Sequence, residues 1–241
     1  MQTENLITPL DWDTTQLGIK TARINSTTSD ITSLLSFAKL QKYQLLYWQT
    51  PQSDEFLKSA EINKGILTDH KITYLIDLNT LDKNQLINEI HHPIEHYTEK
   101  HPSPELITLA YESGKYSRFQ ADPNMTESQF KTIYEEWIKN SVNHSIASDV
   151  FIIKHSRELL GFATVGEKNQ RGDIGLLAVN EHARGKNIGT SLIKSAQNYF
   201  IEKNFRFSQV VTQQDNIPAC KLYEKCGYHI EKVELFFHFW I

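Results

Sequence analysis

Basic residues and glycines are gathered in one short stretch, from Arg184 to Thr190, at the point where an amphipathic segment begins. The residues before it, up to Val179, form a strand-like apolar run, and we expect a helix to start near Ile188. The first N–H groups of a helix have no partner within it, and the helix dipole adds partial positive charge there. Small and basic residues at this point therefore favour the binding of a phosphate.

The same spacing is compatible with a simpler structure, a surface turn in which a glycine such as Gly185 or Gly189 is needed for the backbone conformation. A dinucleotide-binding turn is a third alternative, but it needs Gly-x-Gly-x-x-Gly after the first strand of a βαβ unit. Here the glycine spacing differs, and three strands that can pair as an antiparallel meander precede the loop. The pattern argues against the dinucleotide turn and leaves the other two alternatives open.

A second candidate site lies in the segment VVTQQDNIPACKLYEKCGY. Asn216 has the residue type of a helix N-cap, and Tyr223 follows it by roughly two helical turns. A phenol with a pKa of roughly 10 stays protonated at neutral pH and can act as a proton donor. The alternative is that Tyr223 is an ordinary core residue of an amphipathic helix.

The cysteines and histidines do not indicate a further catalytic site or a metal site. No His–Asp pair accompanies Cys220 or Cys226, so we interpret both as structural residues rather than catalytic nucleophiles. Four histidines lie between residues 91 and 101, but Pro93 interrupts the helix that would place them on one face. Because no set of cysteines or carboxylates completes a zinc site, we expect no metal and interpret this stretch as a solvated linker.

The composition excludes several classes of function. The chain has 241 residues, of which 39% are hydrophobic and 22% charged, as in ordinary globular proteins. A net charge of −4 without runs of like charge argues against a nucleic-acid partner. The start has no leader-like pattern, and no apolar run approaches about 18 residues, so we predict a cytoplasmic protein without a membrane partner.

The periodicity predicts an α/β protein with a mixed sheet and helices on its faces. An α-β-α-β series with strands of parallel type opens the chain, and regularity fades between residues 81 and 124. A long helix then starts at Thr126 with a capping box to Gln129, before three meander strands and a β-α-β-α-β series. The first series resembles the second half of this unit, which suggests a decayed internal duplication.

The segment LLAVNEHARGKNIGTSLI resembles the acyl-CoA-binding signature of the GNAT family of N-acetyltransferases. Asn187 stands where that signature has its middle glycine, and asparagine is the non-glycine residue that best tolerates a positive φ angle. The resemblance implies the GNAT acyltransferase fold, acetyl-CoA or another acyl-CoA as co-substrate, and Tyr223 as the general acid. The cofactor-binding residues that it implies are Leu177, Ala178, Val179, Arg184, Gly185, Lys186, Asn187, Ile188, Gly189, Thr190 and Asn216.

Three segments elsewhere, PLDWDTTQLGIKTARI, YESGKYSRFQADP and FFHFW, are similar to the TDP-fucosamine acetyltransferases. That group acylates the amine of a dTDP-linked amino-dideoxyhexose for surface polysaccharides such as lipopolysaccharide, at C4 or, in relatives, at C3. The resemblance implies a truncated GNAT-like N-terminal domain over residues 1–100 and a complete acyl-CoA-binding domain over residues 101–241. It also implies a dTDP-amino sugar as the acceptor.

Acceptor recognition is assigned to the segment KYSRFQADP, whose donors and rings suit a diphosphate, a sugar or a thymine base. The residues predicted to bind the acceptor are Tyr116, Ser117, Arg118 and Phe119. The alternative is a loop whose aromatic residues anchor it while Arg118 extends into solvent. Asp11 or Asp13 could also contribute, and His238 either faces the acceptor or completes the core.

The mechanism that these residues predict is direct transfer in a ternary complex. Main-chain N–H groups near Leu177 and Ala178 would stabilise the oxyanion, and no general base can be identified. The apolar faces of the last strand favour a homodimer. Two rival functions remain, an acetyltransferase for a protein or small-molecule amine and a non-catalytic acyl-CoA sensor.

Overall fold

The computed structural model describes residues 6–241. The strands are β1 (Ile7–Pro9), β2 (Thr21–Ile24), β3 (Leu45–Pro51), β4 (Ile66–Asp77), β5 (Glu95–His96), β6 (Asp149–His155), β7 (Glu158–Lys168), β8 (Arg171–Val179), β9 (Phe207–Gln213) and β10 (His229–Trp240). The helices are α1 (Asp11–Leu17), α2 (Thr32–Leu40), α3 (Asp54–Ile62), α4 (Lys83–Asn88), α5 (Pro104–Ser113), α6 (Arg118–Ala121), α7 (Glu127–Val142), α8 (Ile188–Glu202) and α9 (Ile217–Lys225). All ten strands form one sheet in the order β1-β2-β3-β10-β4-β9-β8-β7-β6-β5.

The second half of the chain follows the predicted order of elements. Strands β6, β7 and β8 pair as an antiparallel meander, and α8 then connects β8 to the parallel strand β9. Helix α7 begins with the predicted capping box, in which the Thr126 side chain accepts from the N–H of Gln129. The mixed sheet and its helices confirm the predicted α/β class.

The first half departs from the predicted α-β-α-β series, which began at Asp30 and did not include β1, α1 or β2. The two predicted strands are β3 and β4. Strand β3 is parallel to β2, a strand that was not predicted, whereas β4 is antiparallel to both of its neighbours, β10 and β9. The predicted parallel series is therefore wrong for β4. An alternating strand pattern such as KITYLID carries no information about which strands lie beside it, so the sequence could not reveal this insertion. The domain boundary at residue 100 stays a prediction. Strand β4 comes from the first half of the chain, but it lies between β9 and β10 of the second half.

Strand β10 is an interior strand, because it pairs with β3 on one side and β4 on the other. Its residues Leu235, Phe237 and Phe239 pack with Trp48 in one core cluster, and Phe236 lies in a second cluster. The apolar faces of the last strand are thus covered within the chain. They no longer argue for a homodimer, which stays a prediction without this support.

Alternation along β6 separates the two faces of the sheet. Phe151 and Ile153 share a core cluster with residues of α8 and α9, whereas Val150 and Ile152 share one with residues of α5 and α7. We call the first side the α8/α9 face and the second the α7 face. Within the part of the chain that the structure describes, no helix is both long and apolar enough to cross a bilayer.

A gap in the sheet opens between β8 and β9. These strands pair over only three residue pairs, of which Ile174 with Val210 is the last, and their later residues have no ladder partner across this gap. A bulge on β8 accompanies the opening, and there the N–H of Leu176 donates to Thr164 Oγ1 at 2.8 Å. Main-chain groups of β8 beyond the bulge are consequently left facing open space.

Candidate functional site

A crevice of about 1070 Å³ passes through the sheet at the gap between β8 and β9. It receives residues from both faces of the sheet, since Tyr223 of the α8/α9 face and Trp137 of the α7 face both line it. Of the residues assigned to the acyl-CoA and acceptor sites, all but Lys186 line it. Of the further candidates for the acceptor, Asp13 lines it, whereas Asp11 and His238 do not. Two stretches that are far apart in sequence, residues 116–119 and residues 177–190, thus meet at one crevice.

The N-terminus of α8 has the geometry of an anion site. Asn187 precedes the helix with a φ of 59°, so the prediction that asparagine adopts the left-handed conformation here is confirmed. Ser191 N–H donates to the carbonyl of Asn187 at 2.9 Å, which is the first backbone hydrogen bond of the helix. The N–H groups from Ile188 to Thr190 come before that bond, and these residues line the crevice.

The two glycines of this loop serve different ends. Gly185 has a φ of +76° and open space where a Cβ would be, which suits a turn that a ligand approaches. A Cβ on Gly189 would lie 2.8 Å from Leu222 Cδ2. The close packing of α8 against α9 therefore explains why residue 189 is a glycine. The sequence alone did not show this contact.

Basic side chains lie beside the loop, and one histidine contacts its main chain. Arg184 pairs with Glu112 at 3.3 Å, and Lys225 Nζ donates to the side chain of Asn187 at 3.4 Å. The carbonyl of Lys186 lies 2.7 Å from His92 Nε2. The interpretation of residues 91–101 as a solvated linker is wrong in part, because Glu95–His96 forms β5 and Tyr97 is 8% exposed. The contact of His92 with the loop is a tertiary contact that the sequence did not show.

Asn216 and Tyr223 lie on one short helix at the α8/α9 side of the crevice. The side chain of Asn216 accepts from the N–H of Ala219 at 3.3 Å, which confirms the predicted cap. Tyr223 is 5% exposed, and its ring centroid lies 5.8 Å from that of Tyr74. Burial raises the pKa of the Tyr223 phenol, so it stays protonated at neutral pH and keeps a proton to donate.

The two cysteines near this helix are buried free thiols. Burial raises the pKa of Cys226 to about 11, so its thiolate form is scarce at neutral pH. Cys220 is also buried, and its Sγ contacts the carbonyl of Gln213 at 3.6 Å. Both side chains fit the structural role that the sequence analysis gave them.

Arg118 lies on the α7 side of the crevice, within a cage of aromatic rings. Its guanidinium is 4.1 Å from the ring centroid of Phe119, 4.7 Å from that of Tyr47 and 4.6 Å from that of Phe236. Asp13 lies 3.8 Å away. The alternative in which Arg118 extends into solvent is wrong, because α6 turns this side chain inward.

The residues next to Arg118 differ in how far their side chains are exposed to the crevice. Phe119 is 2% exposed and holds the guanidinium, whereas Tyr116 is 38% exposed at the crevice. Ser117 is 6% exposed, and within residues 6–241 its hydroxyl has no hydrogen-bond partner. Trp12 is stacked on Trp137 with centroids 6.2 Å apart, so it contacts the crevice rather than the core.

His238 belongs to the core, which decides between the two roles left open for it. Its side chain is fully buried, and Nδ1 lies 2.6 Å from Asp122 Oδ2. Trp240 Nε1 donates to the same oxygen at 2.9 Å. Burial lowers the pKa of His238 to about 4, so the ring is neutral at pH 7.

Asp69 on β4 lines the crevice and was not identified from the sequence. It is 9% exposed, and burial raises its pKa to about 7. The only signal in the sequence is a lone acidic residue inside an otherwise strand-like segment. That signal could not place Asp69 at the crevice, because the position of β4 in the sheet was not foreseen.

Comparison with known proteins shows which family this chain resembles. The model of the acetyltransferase (GNAT) family matches residues 96–228, which is more than half of the chain. The match begins before α5 and ends just before β10, so it includes β8, the loop at residues 184–190 and Tyr223. It leaves out β4 and the rest of the first half.

Two curated relatives match shorter parts of the chain. It is 27% identical over 135 residues to the spore coat polysaccharide biosynthesis protein SpsD of Bacillus subtilis (strain 168), covering 56% of this chain and 46% of that protein. It is 34% identical over 68 residues to the streptothricin acetyltransferase of Escherichia coli, covering 28% of this chain and 39% of that protein. The chain thus spans less than half the length of both relatives.

A solved structure shares the fold over most of the chain. This is a tandem GNAT protein from the clavulanic acid biosynthesis pathway, with a TM-score of 0.57 and 16% identity. The similarity covers 92% of this chain and 76% of that one. At such an identity the likeness shows the fold alone.

Proposed function

The chain belongs to the acetyltransferase (GNAT) family, and from this premise we propose that it acylates the amine of a dTDP-linked 3- or 4-amino-dideoxyhexose. Members of this family take the acetyl group from acetyl-CoA. In this proposal the donor is acetyl-CoA or another short acyl-CoA, and both substrates bind before transfer. The acylated sugar then enters a surface polysaccharide.

The gap between β8 and β9 is the observation that carries the acyl-CoA part of this proposal. An extended pantetheine arm would pair with the free main-chain groups of Leu177–Val179, much as an added strand does. The diphosphate of the donor would bind at the free N–H groups before Ser191, with Arg184 and Lys225 nearby. Lys186, which is outside the crevice lining, contributes only long-range charge in this scheme.

Transfer requires one bond to form and one to break. The neutral amine attacks the thioester carbon, a C–N bond forms, and the main-chain N–H of Leu177 stabilises the oxyanion. The N–H of Ala178 does not contribute, because it faces β7, as does that of Asn180, which donates to the carbonyl of Leu160. The C–S bond then breaks, and coenzyme A leaves as a thiolate that takes a proton from Tyr223. The buried, protonated phenol at the α8/α9 side of the crevice supports this role.

A nucleotide sugar as acceptor is supported by the α7 side of the crevice. Tyr116 and Trp12 present aromatic surface there, and the guanidinium of Arg118 is a donor suited to hydroxyls or phosphates. The hydroxyl of Ser117 is enclosed, so its predicted contact with the acceptor requires a shift of the neighbouring side chains. Lys71 and Lys168 line the same crevice, and the positive charges of Lys168, Lys232 and Arg118 add to burial in lowering the pKa of Lys71. The relative in spore coat polysaccharide biosynthesis points to the same class of pathway.

The test is to offer dTDP-3-amino and dTDP-4-amino sugars separately, each with several acyl-CoA donors. We expect one acceptor to give an amide product by mass spectrometry, together with stoichiometric release of free thiol. Binding of acetyl-CoA without acylation of either sugar would contradict the proposal.

A second candidate acceptor is an amine of a small molecule that is not a nucleotide sugar. The match to a streptothricin acetyltransferase favours it, although it covers only 28% of this chain. A panel of small amines and lysine peptides in the same thiol-release assay separates the two candidates. Turnover of a free amine that exceeds turnover of both nucleotide sugars would select this alternative.

A further inference from the structure

Asp69 lies where β4 leaves the regular sheet. The last pair in register between β4 and β9 is Lys71 with Gln213, and Asp69 lies just beyond it. On the other side Asp69 pairs with Phe236, next to a bulge in which Thr68 Oγ1 donates to the carbonyl of Phe236 at 3.0 Å. This irregularity holds a polar segment of β4 at the mouth of the gap.

One oxygen of the Asp69 carboxyl is buried without a partner in residues 6–241. Asp69 is 9% exposed, and in the described part of the chain its Oδ1 atom is enclosed without a hydrogen-bond partner. Two further buried groups that line the crevice are in the same state, the hydroxyl of Ser117 and Nε of Arg118. Buried polar groups without partners are rare in native proteins, so three beside one cavity mark this part of its wall as unusually polar.

The position of Asp69 is opposite that of the proposed acid. Tyr223 packs with Tyr74 and Ile188 in the cluster of the α8/α9 face. Asp69 pairs with Phe236, which packs with Phe119 and Tyr134 in a cluster of the α7 face. The gap between β8 and β9 joins the two sides, and an amine that enters from the α7 side meets Asp69 there.

We propose that Asp69 is a catalytic residue that binds the acceptor amine and takes the proton that its nitrogen loses during acyl transfer. This inference rests on the proposed acyltransferase function. It supplies the general base that the sequence analysis could not identify.

The protons balance with Asp69 in this role. When the neutral amine attacks, its nitrogen becomes positively charged, and the Asp69 carboxylate takes one proton from it. The departing thiolate takes one proton from Tyr223. One proton then passes through water from Asp69 to Tyr223, which restores both groups, so the net products are the amide and coenzyme A.

The charges around Asp69 suit a base that works near neutral pH. Burial raises its pKa to about 7, and the negative charge of Asp215 acts in the same direction. Gln213 from β9, Arg118 from α6 and Lys71 from β4 itself act to lower it. Tyr134 faces it from α7, and the paired residue on β10 is the apolar Phe236. A base whose pKa is close to the working pH transfers protons most efficiently.

The test compares Asp69→Asn with Asp54→Asn, which makes the same chemical change at an exposed site on α3, outside the crevice lining. We expect D69N to lower kcat by about 100- to 10,000-fold, the usual contribution of a general base. The wild-type rate should rise with pH to a plateau above about pH 7, and this inflection should be lost in D69N. D54N should retain the rate and profile of the wild type.

Two binding and titration measurements separate this inference from the proposed function. Calorimetry should give D69N and the wild type the same affinity for acetyl-CoA. Carbon-13 NMR titration, assigned by comparison with D69N, should give the Asp69 carboxyl a pKa near 7 whether or not a substrate is known. Unchanged kcat and pH profile in D69N, or titration of Asp69 below about pH 5, would overturn the role of Asp69. Failure of every amine to react would instead overturn the acceptor assignment.

Discussion

Tyr223 is the residue whose chemistry can be tested most directly. In Tyr223→Phe the ring and its packing against Tyr74 remain, and only the proton donor is lost. We expect kcat to fall by about 100-fold or more, with the affinity for acetyl-CoA nearly unchanged. Steady-state kinetics and calorimetry measure the two quantities, and wild-type turnover in this variant would remove Tyr223 from the mechanism. Tyr43→Phe, outside the crevice lining, is the matched control.

Arg118 should affect the acceptor rather than the donor. Lysine at this position keeps the charge but loses the flat guanidinium that lies among Phe119, Tyr47 and Phe236. We expect Arg118→Lys to raise KM for the acceptor about 10-fold or more, with KM for acetyl-CoA unchanged. Arg157→Lys on the exposed β6–β7 turn should change neither constant. An equal rise in both KM values would show that Arg118 acts through the fold as a whole.

Individual residues were predictable where the chemistry lies within a few positions in sequence. Asn187 was expected to tolerate a positive φ, and Asn216 was expected to cap α9, because both effects are local. Asp69 and His92 were missed because their roles depend on contacts with residues far away along the chain. No local pattern distinguishes a buried strand carboxylate beside a cavity from an exposed one.

The loop before α8 is an element whose conformation can be tested separately from its charge. A β-branched residue at a φ of 59° is strained, so Asn187→Val should lower the free energy of unfolding by about 1–2 kcal/mol. It should also weaken acetyl-CoA binding, because the N–H groups of the first turn would move. Asn187→Gly accepts this φ and should keep both properties close to those of the wild type. Chemical denaturation and calorimetry report the two effects, and equal behaviour of both variants would refute this explanation.

Elements themselves were predicted well in the second half and less well in the first. The meander, the crossover through α8 and the capping box of α7 follow from periodicity and caps. The segment KYSRFQADP was not expected to form a helix, yet α6 occupies part of it. One turn is too short to produce a periodic signal, and its conformation depends on the packing of Phe119 and Arg118 against other elements.

The arrangement of the whole sheet sets a limit on separating the two halves. Strand β4 lies between β9 and β10. A fragment of residues 101–241 would therefore lack the strand with which β9 and β10 both pair. We expect this fragment to lack a cooperative thermal transition by circular dichroism, and we expect an added fragment of residues 1–100 to restore it. Cooperative unfolding of residues 101–241 alone would instead support an independent domain that begins near residue 101.

Two buried groups make the stability of the molecule depend on pH in opposite directions. The pKa of His238 is lowered from 6.5 to about 4, so between these values the unfolded chain binds more protons at this site. Its contribution to stability is therefore lost as the pH falls through that window. The pKa of Asp69 is raised from 3.8 to about 7, so between these values the folded chain binds more protons. Its effect is a loss of stability as the pH rises.

Comparing D69N with the wild type isolates the second effect, because the contribution of His238 is common to both proteins. Asparagine resembles the protonated carboxyl, so the two proteins should differ little in melting temperature at about pH 4, where the carboxyl is protonated in the folded chain and only partly ionised in the unfolded one. At about pH 8 the wild type carries a buried charge that D69N lacks, and D69N should melt about 5 °C or more above it. Calorimetric melting temperatures across this range measure the difference. A difference that does not change with pH would mean that Asp69 is already ionised at about pH 4, which would also remove the basis for its role as the base.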